Sequence, residues 1–303
     1  MRTTRRAFAA AVGLAAVAAV TGFAAAAHAA EGTVVSAQNA VAGSYIVTLK
    51  DTAGMPDGAA SVARRHGATV THVYRTALRG FSATMSDQQA RRLAADPRVA
   101  RVEQDAEVRA LAPPVKSWGL DRIDQRSLPL DRRYVYPTTS SGVTAYVIDT
   151  GIFAGHSDFK GRASVGTDTV GDGQNGNDCH GHGTHVAGTV GGAAYGVAKG
   201  VSLVGVRVLN CNGSGTFAGV IAGVDWVTAN AVKPAVANMS LGGGANQSVD
   251  DAVTRSIASG VSYAVAAGNS NANACNFSPA RTPAAITVGA TDRTDARAGF
   301  SNV

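Results

Sequence analysis

The sequence carries little excess charge once its first 111 residues are set aside. Up to Leu111 there are 12 Arg and 1 Lys against 8 acidic residues, so that only +1 of the net charge of +6 belongs to the rest of the chain. Nucleic-acid binding requires a basic face with groups that read or stack on bases. The nearly neutral remainder argues against that function class, and we expect no nucleic-acid partner.

Long apolar runs are equally scarce, and the one candidate lies at the start of the chain. Arg5 and Arg6 precede a run from Ala7 to Ala27 that is mostly alanine and only marginally long enough to span a bilayer. The run ends in Ala27-His28-Ala29, a small-residue cleavage pattern. We expect residues 1–29 to be a signal peptide of the general secretory or twin-arginine type. The protein is then secreted and keeps no stable membrane association after cleavage.

Cysteine is rare as well, with three residues in the whole chain, and an exported protein with an odd number leaves one over. Glycine is abundant, at 36 residues, which favours tight turns and close packing. With 303 residues, 45% of them hydrophobic, the chain can bury a sizeable core and predicts more than one folded unit.

The first predicted unit covers residues 43–110. Strand patterns at 43–50, 68–74, 78–85 and 99–103 alternate with helix patterns at 58–66 and 86–96, and the second helix opens with a capping box from Ser86 to Gln89. The order β-α-β-β-α-β predicts a small ferredoxin-like α+β module. Taken alone, this stretch is equally compatible with a generic small binding domain.

A proline-bearing linker, Ala110–Lys116, separates this unit from a second predicted domain, 112–303. From Val143 onward, strand patterns at 143–148, 201–209, 234–239, 261–266 and 285–288 alternate with helix patterns at 182–192, 217–230 and 248–259. Such alternation predicts an α/β fold with a mainly parallel sheet and helices on both faces.

Three polar residues follow predicted strands of that sheet: Asp149, Ser240 and Asn269. Sites in open α/β sheets form beyond the carboxyl ends of the strands, so we expect these residues to share one site. His182 stands where a polar, histidine-rich loop gives way to a small apolar helix. A serine nucleophile needs a base within hydrogen-bond reach and a group that orients that base. His182 and Asp149 suit these two roles.

A zinc site is the alternative reading of the same loop. His180, His182 and His185 lie close enough in sequence to surround one metal ion. Metallo-hydrolases with a comparable cluster carry aspartate where this chain has Thr184, and no histidine follows His185. A zinc hydrolase is therefore the weaker interpretation.

Four motifs, in order, resemble the subtilisin-like serine proteases of the S8 peptidase family, and most closely the proteinase K and aqualysin branch. They are D-T-G at Asp149, H-G-T-H-V-A-G-T at His182, N-M-S-L-G-G at Asn238 and A-A-G-N ending at Asn269. The resemblance implies a serine endopeptidase in which Asp149 orients His182 and Asn269 contributes to the oxyanion hole. The first unit similarly resembles an inhibitor I9-type propeptide, which acts as an intramolecular inhibitor and folding aid.

The resemblance also implies a binding cleft for polypeptide substrates with broad preference for apolar or aromatic residues. Two glycine-bearing strands would pair with an extended peptide, and Gln104–Ala110 would lie in the cleft like a product of processing between Ala110 and Pro113. The implied substrate-binding residues are Gly213, Ser214, Gly215, Phe217, Ser240, Leu241, Gly242, Ala266, Ala267 and Gly268.

Further features are implied by the same family pattern. Cys179 and Cys211 are expected to form a disulfide, which leaves Cys275 alone. The chemistry needs no cofactor, whereas a structural calcium ion is expected on the carbonyl groups of Pro283 and Ala285.

The nucleophile of the family, in a G-T-S-M-A motif, is absent from the 303 residues. We expect that serine and the partner of Cys275 to lie beyond Val303, in a chain cut short at its C-terminus. The chain as written is then expected to be inactive. A non-catalytic protein that binds extended peptides is the second alternative, beside the zinc hydrolase.

Overall fold

The computed structural model describes residues 30–50, 57–110 and 118–303, and every structural statement below concerns these residues. Apart from Ala30, they belong to one compact unit, Glu31–Val303. The expected signal peptide and the expected processing site lie outside the described residues. None of the described helices has the length and hydropathy needed to cross a lipid bilayer.

The first part of this unit is the ferredoxin-like module that the strand and helix patterns predict. Its four strands are antiparallel where they pair and have the spatial order β4-β1-β3-β2. Its elements are β1 (Ala40–Leu49), α1 (Asp57–Arg65), β2 (Thr69–Tyr74), β3 (Gly80–Thr84), α2 (Asp87–Ala94) and β4 (Val99–Ala110).

Local chemistry explains where the second helix of this module begins. The Ser86 side chain accepts from the Gln89 amide, and the Gln89 side chain accepts from the Ser86 amide, so that both first-turn donors are satisfied. The face of α2 that carries Ala90 and Leu93 is buried against the sheet in a cluster with Val47, Phe81 and Val102. The capping box and this apolar face together fix the helix.

The second part is built on a six-stranded, wholly parallel sheet of order β13-β11-β9-β5-β7-β6. Its elements are α3 (Trp118–Ile123), β5 (Thr144–Asp149), β6 (Ala163–Asp168), α4 (His182–Gly191), β7 (Ser202–Arg207), β8 (Ser214–Thr216), α5 (Phe217–Asn230), β9 (Ala235–Met239), β10 (Leu241–Gly244), α6 (Gln247–Ala258), β11 (Val261–Ala266), β12 (Phe277–Ser278) and β13 (Ile286–Val288).

Helices cover both faces of this sheet, and the alternation along β5 shows how. All six residues of β5 are buried. Tyr146 and Ile148 belong to the apolar cluster that contains α5 and α6 side chains, whereas Ala145 and Val147 belong to a separate cluster with Ala187 of α4. Successive side chains of a strand point to opposite faces. The predicted fold class is therefore confirmed.

Three details differ from the expectations drawn from sequence. The edge strand β6 lacks an apolar pattern and was not predicted. β4 continues to Ala110, well beyond the predicted end at Glu103, because its polar second half pairs with β8 and β10. Gly243 and Gly244, which are not among the residues predicted to bind substrate, lie in β10 and pair with β12.

The two parts share their largest apolar cluster. Tyr74, Leu78 and Val108 of the first module are fully buried in the same cluster as Phe217 and Leu241 of the second. Burial of apolar surface is the dominant favourable term in association. The ferredoxin-like module is therefore docked on the α5 and α6 side of the parallel sheet through a continuous core.

Candidate active site

Asp149 ends β5 at the carboxyl edge of the parallel sheet and is completely buried. One carboxylate oxygen, Oδ1, accepts from the Thr150 amide at 2.7 Å and lies 2.6 Å from Nδ1 of His182. The sequence separation of the two residues is 33. The structure thus brings together the two side chains on which the predicted chemistry depends.

His182 is the first residue of α4 and is itself buried. The preceding residue, Gly181, is in the left-handed region, with φ at 99°, where glycine is favoured. Gly183 approaches the loop after β5 so closely that a Cβ atom there would lie 2.1 Å from the Gly151 carbonyl oxygen. These two glycines allow the imidazole to enter the helix directly beside Asp149.

Asp178 and Thr150 hold this arrangement, and sequence reasoning missed both roles. Asp178 accepts from the amides of Gly181 and Thr184, each at 2.8 Å. Thr150 Oγ1 donates to Asp178 at 2.9 Å and accepts from the Gly183 amide at 2.8 Å. The residue after Asp149 is thereby tied to the start of α4. The signal available in the sequence is an aspartate four residues before His182 and a threonine inside D-T-G.

Burial raises the pKa of Asp149, whereas the hydrogen bonds from the His182 ring and the Thr150 amide act in the opposite direction. With the carboxylate ionised, Nδ1 of His182 is the donor, and the lone pair of the neutral imidazole is on Nε2. The arrangement can therefore accept a proton at Nε2 and stabilise the resulting imidazolium.

The other two histidines of the loop are exposed. His180 uses its Nδ1 to accept from the His182 amide at 3.3 Å, and its ring lies edge-on to the His182 ring. No group of three or more His, Cys, Asp or Glu side chains in the described part of the chain has an arrangement able to hold a metal ion. The histidine cluster therefore gives no support to the zinc hydrolase alternative.

Asn269 lies in an exposed loop after β11, next to Gly268, whose φ is 111°. Asn302 braces this loop, because its Oδ1 accepts from the Ser270 amide at 2.9 Å and its Nδ2 donates to the Ala267 carbonyl at 3.0 Å. The sequence offered no signal for Asn302. A cavity of about 210 Å³ separates the loop from β4. It is lined by, among others, Gly242, Ala266, Ala267, Gly268 and Asn269 together with Glu107 and Arg109.

The end of β4 lies between the two glycine-bearing strands as their antiparallel partner. On one side, Val108 pairs with Gly215, and its neighbours Glu107 and Arg109 pair with Thr216 and Ser214. On the other side, Arg109 and Ala110 pair with Gly242 and Leu241. The described end of the first module thus occupies the cleft in the manner of an extended peptide.

Several predicted cleft residues take positions around this strand. Val108 is fully buried in the cluster that contains Phe217. Gly213, with φ at 71°, makes the turn before β8, and Ser240 directly precedes β10 and accepts from Nδ2 of Asn238 at 2.9 Å. All predicted substrate-binding residues therefore belong to β8 and β10, to the residues that flank these strands, or to residues 266–269, which line the cavity.

Two acidic side chains of β4 contact the beginnings of the helices on which the module is docked. Glu103, 3% exposed, accepts from the amides of Gln247 and Ser248 at 3.2 and 3.0 Å in the first turn of α6. Asp105 accepts from the Ala218 amide of α5 at 3.1 Å, and burial raises the pKa of this carboxyl. Carboxylates stabilise helix N-termini through the unpaired N–H groups there. Sequence analysis missed both contacts.

A third carboxylate belongs to the second part of the chain and accepts hydrogen bonds from the first. Asp225 of α5 accepts from three successive amides of the β2–β3 loop, those of Arg75, Thr76 and Ala77, at 3.3, 2.6 and 2.5 Å. Tyr74 also donates its hydroxyl to the Ala218 carbonyl at 3.2 Å. The docking surface therefore combines an apolar centre with charge-assisted hydrogen bonds.

The structure contains the predicted disulfide between Cys179 and Cys211, and Cys275 is free and exposed. The disulfide links the loop before His182 to the turn before β8. Beside it lies Arg207, which is fully buried and pairs with Asp168 and Asp172. The Arg207 guanidinium lowers the pKa of Asp172 from 3.8 to about 2. This cluster fixes the histidine loop to the sheet.

The expected calcium site at Pro283 and Ala285 remains a prediction. Both residues lie in the loop before β13, where the Ala285 amide donates to the Thr282 carbonyl at 3.1 Å. No carboxylate in the described residues joins a group of metal-ligating side chains there. The family pattern combines these carbonyl oxygens with a carboxylate, so the described side chains do not by themselves fit the ion.

The parallel sheet, the buried Asp149–His182 pair at its carboxyl edge and the two strands that pair with β4 form the arrangement expected from the resemblance to subtilisin-like serine proteases. Comparison with family models agrees with this class. Residues 140–303 match the subtilase family, and residues 44–111 match the peptidase inhibitor I9 family. The chain belongs to the subtilase family.

Two similar proteins support the same assignment. The chain is 51% identical over 290 residues to an extracellular serine proteinase of Thermus sp. The aligned region covers 88% of this chain and 70% of that protein. It is 51% identical over 241 residues to alkaline serine exoprotease A of Vibrio alginolyticus, which covers 77% of this chain and 45% of that protein. The chain thus spans less than half of the Vibrio protein.

A solved structure of a cold adapted subtilisin-like serine proteinase is also similar. It has 62% sequence identity and a TM-score of 0.60, and the match covers 61% of this chain and 68% of that one. At this identity the likeness extends beyond the fold to the family.

Proposed function

We propose that this chain belongs to an exported zymogen whose enzyme hydrolyses peptide bonds with an Asp-His-Ser triad. The observation that carries the proposal is the 2.6 Å contact between Asp149 and His182, at the edge of a cleft that already holds an extended segment of the chain. The serine is absent from the 303 residues, so the proposal for this chain as written is that it does not hydrolyse peptides.

In the proposed reaction, Nε2 of His182 takes the proton of the serine hydroxyl as that oxygen attacks the scissile carbonyl carbon. Asp149 keeps the imidazole in the required tautomer and stabilises the imidazolium. The Asn269 amide donates to the oxyanion of the tetrahedral intermediate. His182 then returns its proton to the leaving amine. Each step uses a side chain at the carboxyl edge of the sheet.

Substrate recognition follows from the pairing that β4 displays. Main-chain hydrogen bonds to β8 and β10 make few demands on sequence, and preference comes from pockets that alternate side chains enter. Val108 is enclosed by apolar neighbours, whereas Arg109 is exposed. We therefore expect broad specificity with a preference for apolar or aromatic residues, exerted at the position that Val108 occupies and at the cavity between Gly242 and Ala266.

The ferredoxin-like module is proposed to be the propeptide, with boundaries at 43–110, before an enzyme that starts near residue 112. Its tail blocks the cleft, and its carboxylates cap α5 and α6. Both contacts support roles as an inhibitor and as a folding aid. Export by a cleaved signal at residues 1–29 fits the relative that is named extracellular.

The test joins the homologous C-terminal segment of the Thermus enzyme to Val303 and follows autoprocessing and hydrolysis of a chromogenic peptide. Activity is expected in the joined chain, with loss in its His182→Ala and Asp149→Asn variants. A serine-directed phosphonate should label the joined chain stoichiometrically, and a chelator should leave the label intact. Chelator-sensitive activity without labelling would establish the zinc alternative instead.

The unextended 303-residue chain is the matched control, and it should show no turnover above background. Turnover by this chain that disappears in its His182→Ala variant would mean that a nucleophile lies among the 303 residues and would contradict the proposal. A stable, inert product even after extension would favour a peptide-binding protein.

A further inference from the structure

The residues that precede the ferredoxin-like module form an ordered extended segment, although their sequence has the composition of a polar linker. This segment, residues 31–39, lies before the residues that match the inhibitor family, which begin at residue 44. We propose that it is a second inhibitory element, which clamps the β4 tail in the cleft. Its inhibitory role rests on the proposed function, whereas the clamp rests on the contacts that residues 31–39 make.

The segment adds a further strand to the edge of β4. The Val35 amide donates to the Val102 carbonyl at 2.9 Å, and the Val35 carbonyl accepts from the Gln104 amide at 2.9 Å. Val35 and Glu103 are parallel partners. Because β1 already occupies one edge of β4 at these residues, Val35 must lie along the other edge. Both edges of β4 are therefore paired before the strand enters the cleft.

The contacts continue to the point where β4 meets the peptidase strands. The Ala37 amide donates to the Gln104 side chain at 3.2 Å, and the Asn39 carbonyl accepts from the Glu107 amide at 3.1 Å. Asn39 has φ at 53°, and the next residue, Ala40, pairs with Ala106 as the start of β1. The chain thus passes from one edge of β4 to the other across the tail.

The segment also touches the walls of the cleft directly. A Cβ atom on Gly244 would lie 3.2 Å from Cβ and 3.3 Å from Oε1 of Gln38, so Gln38 rests on β10. Asn39 lines the cavity on the β10 side together with Gln38, and on the β8 side it shares a depression with Asn210 and Ser214. The segment therefore closes both sides of the cleft around Glu107. Its partner is the substrate-binding cleft of its own chain.

The clamp predicts that the tail cannot leave the cleft until the segment has detached. Local opening of β4 should consequently become more frequent when the Val35 bonds are removed, since each hydrogen bond that must break before opening lowers the open population. Hydrogen exchange of the Val108, Arg109 and Ala110 amides measures that opening. These three residues pair with β8 and β10 and not with residues 31–39, so a change in their exchange reports the clamp and not a directly lost bond.

The experiment compares Val35→Pro with Val35→Ala in the full chain. Proline removes the N–H that bonds Val102, whereas alanine keeps both main-chain bonds and truncates a side chain that is 43% exposed. We expect exchange at residues 108–110 to be about tenfold faster in Val35→Pro than in Val35→Ala, with unchanged exchange in β3. Equal rates at 108–110 in the two variants, with β3 intact, would overturn the proposal.

Should Val35→Pro also speed exchange in β3, the module itself has loosened, and Gln38→Ala becomes the deciding variant. It removes the side-chain amide that lies against Gly244 without adding main-chain freedom, and it is expected to speed exchange at residues 108–110 about twofold to threefold. No change there would refute the clamp. Hydrogen exchange needs no turnover, so a negative result leaves the assignment of Asp149 and His182 untouched.

Discussion

The contact between Glu103 and the start of α6 gives the sharpest test of how the first module is docked. We predict that Glu103→Ala lowers the free energy of unfolding of the chain by about 3 kcal/mol. The carboxylate is buried, accepts from the amides of Gln247 and Ser248, and also accepts from Nε of Arg101 at 2.9 Å. The Ser248 hydroxyl is a fourth donor to it.

The magnitude follows from what remains after the change. Hydrogen bonds to charged groups contribute roughly 1.5–3 kcal/mol each and are not additive, while loss of a helix cap costs about 1 kcal/mol. Arg101 keeps its contact with Asp251 at 2.8 Å, and Asn246 still caps the Val249 amide at 3.0 Å. The free energy of unfolding that is lost should therefore equal about one strong hydrogen bond plus one helix cap, and not the sum of four contacts.

Urea unfolding followed by Trp226 fluorescence measures the change, and hydrogen exchange of the Ser248 amide localises it. Glu107→Ala is the matched control, because this glutamate lies on the same strand and, within the described residues, its side chain pairs with the exposed Arg109. Exposed ion pairs contribute less than about 1 kcal/mol. If the two variants lose equal stability, the helix-capping argument for docking is wrong.

Three other perturbations have defined outcomes. Asp149→Asn should remove the far-downfield Nδ1 proton resonance of His182 in the NMR spectrum, and its persistence would mean that the 2.6 Å contact is not the one that holds the ring. Cys179→Ser with Cys211→Ser should lower the urea-unfolding free energy by roughly 3–4 kcal/mol, as loop closure over a separation of 32 residues implies. A loss under 1 kcal/mol would contradict that model. The pKa of Asp172 is lowered from 3.8 to about 2, so its stabilising contribution is present above pH 3.8 and is lost as the pH falls through about 2. Asp172→Asn should therefore flatten the acid-induced loss of stability between about pH 4 and pH 2, whereas an unchanged pH profile would refute the pairing.

Much of the candidate site could be predicted because its chemistry is carried by short, local patterns. The apolar run that ends in Asp149 predicts a strand, and the glycine-rich loop that leads into His182 predicts the start of a helix. The carboxyl-edge rule then places them together without knowledge of the contact. The helix that begins at Ser86 was predictable for the same reason, since a capping box is complete within four residues.

The rest depends on partners that are distant in sequence. Glu103 and Asp105 interrupt a strand with charge, and only the helix starts more than 100 residues later explain them. The second half of β4 lacks apolar alternation because its neighbours are main-chain groups of the cleft. No strand pattern was predicted for residues 31–39 for the same reason, since their pairing with β4 is made by main-chain groups. Asn302 likewise contacts main-chain groups that lie far away in sequence, at separations of 32 residues from Ser270 and 35 residues from Ala267.

The shared apolar cluster has a consequence for the life of the molecule after processing. Tyr74, Leu78 and Val108 fill space beside Phe217, yet all three would depart with the propeptide. The proposed mature enzyme would then lack part of the apolar core around which its own side chains are packed. Its persistence outside the cell would then be a matter of how slowly it comes apart rather than of how favourably it first assembled.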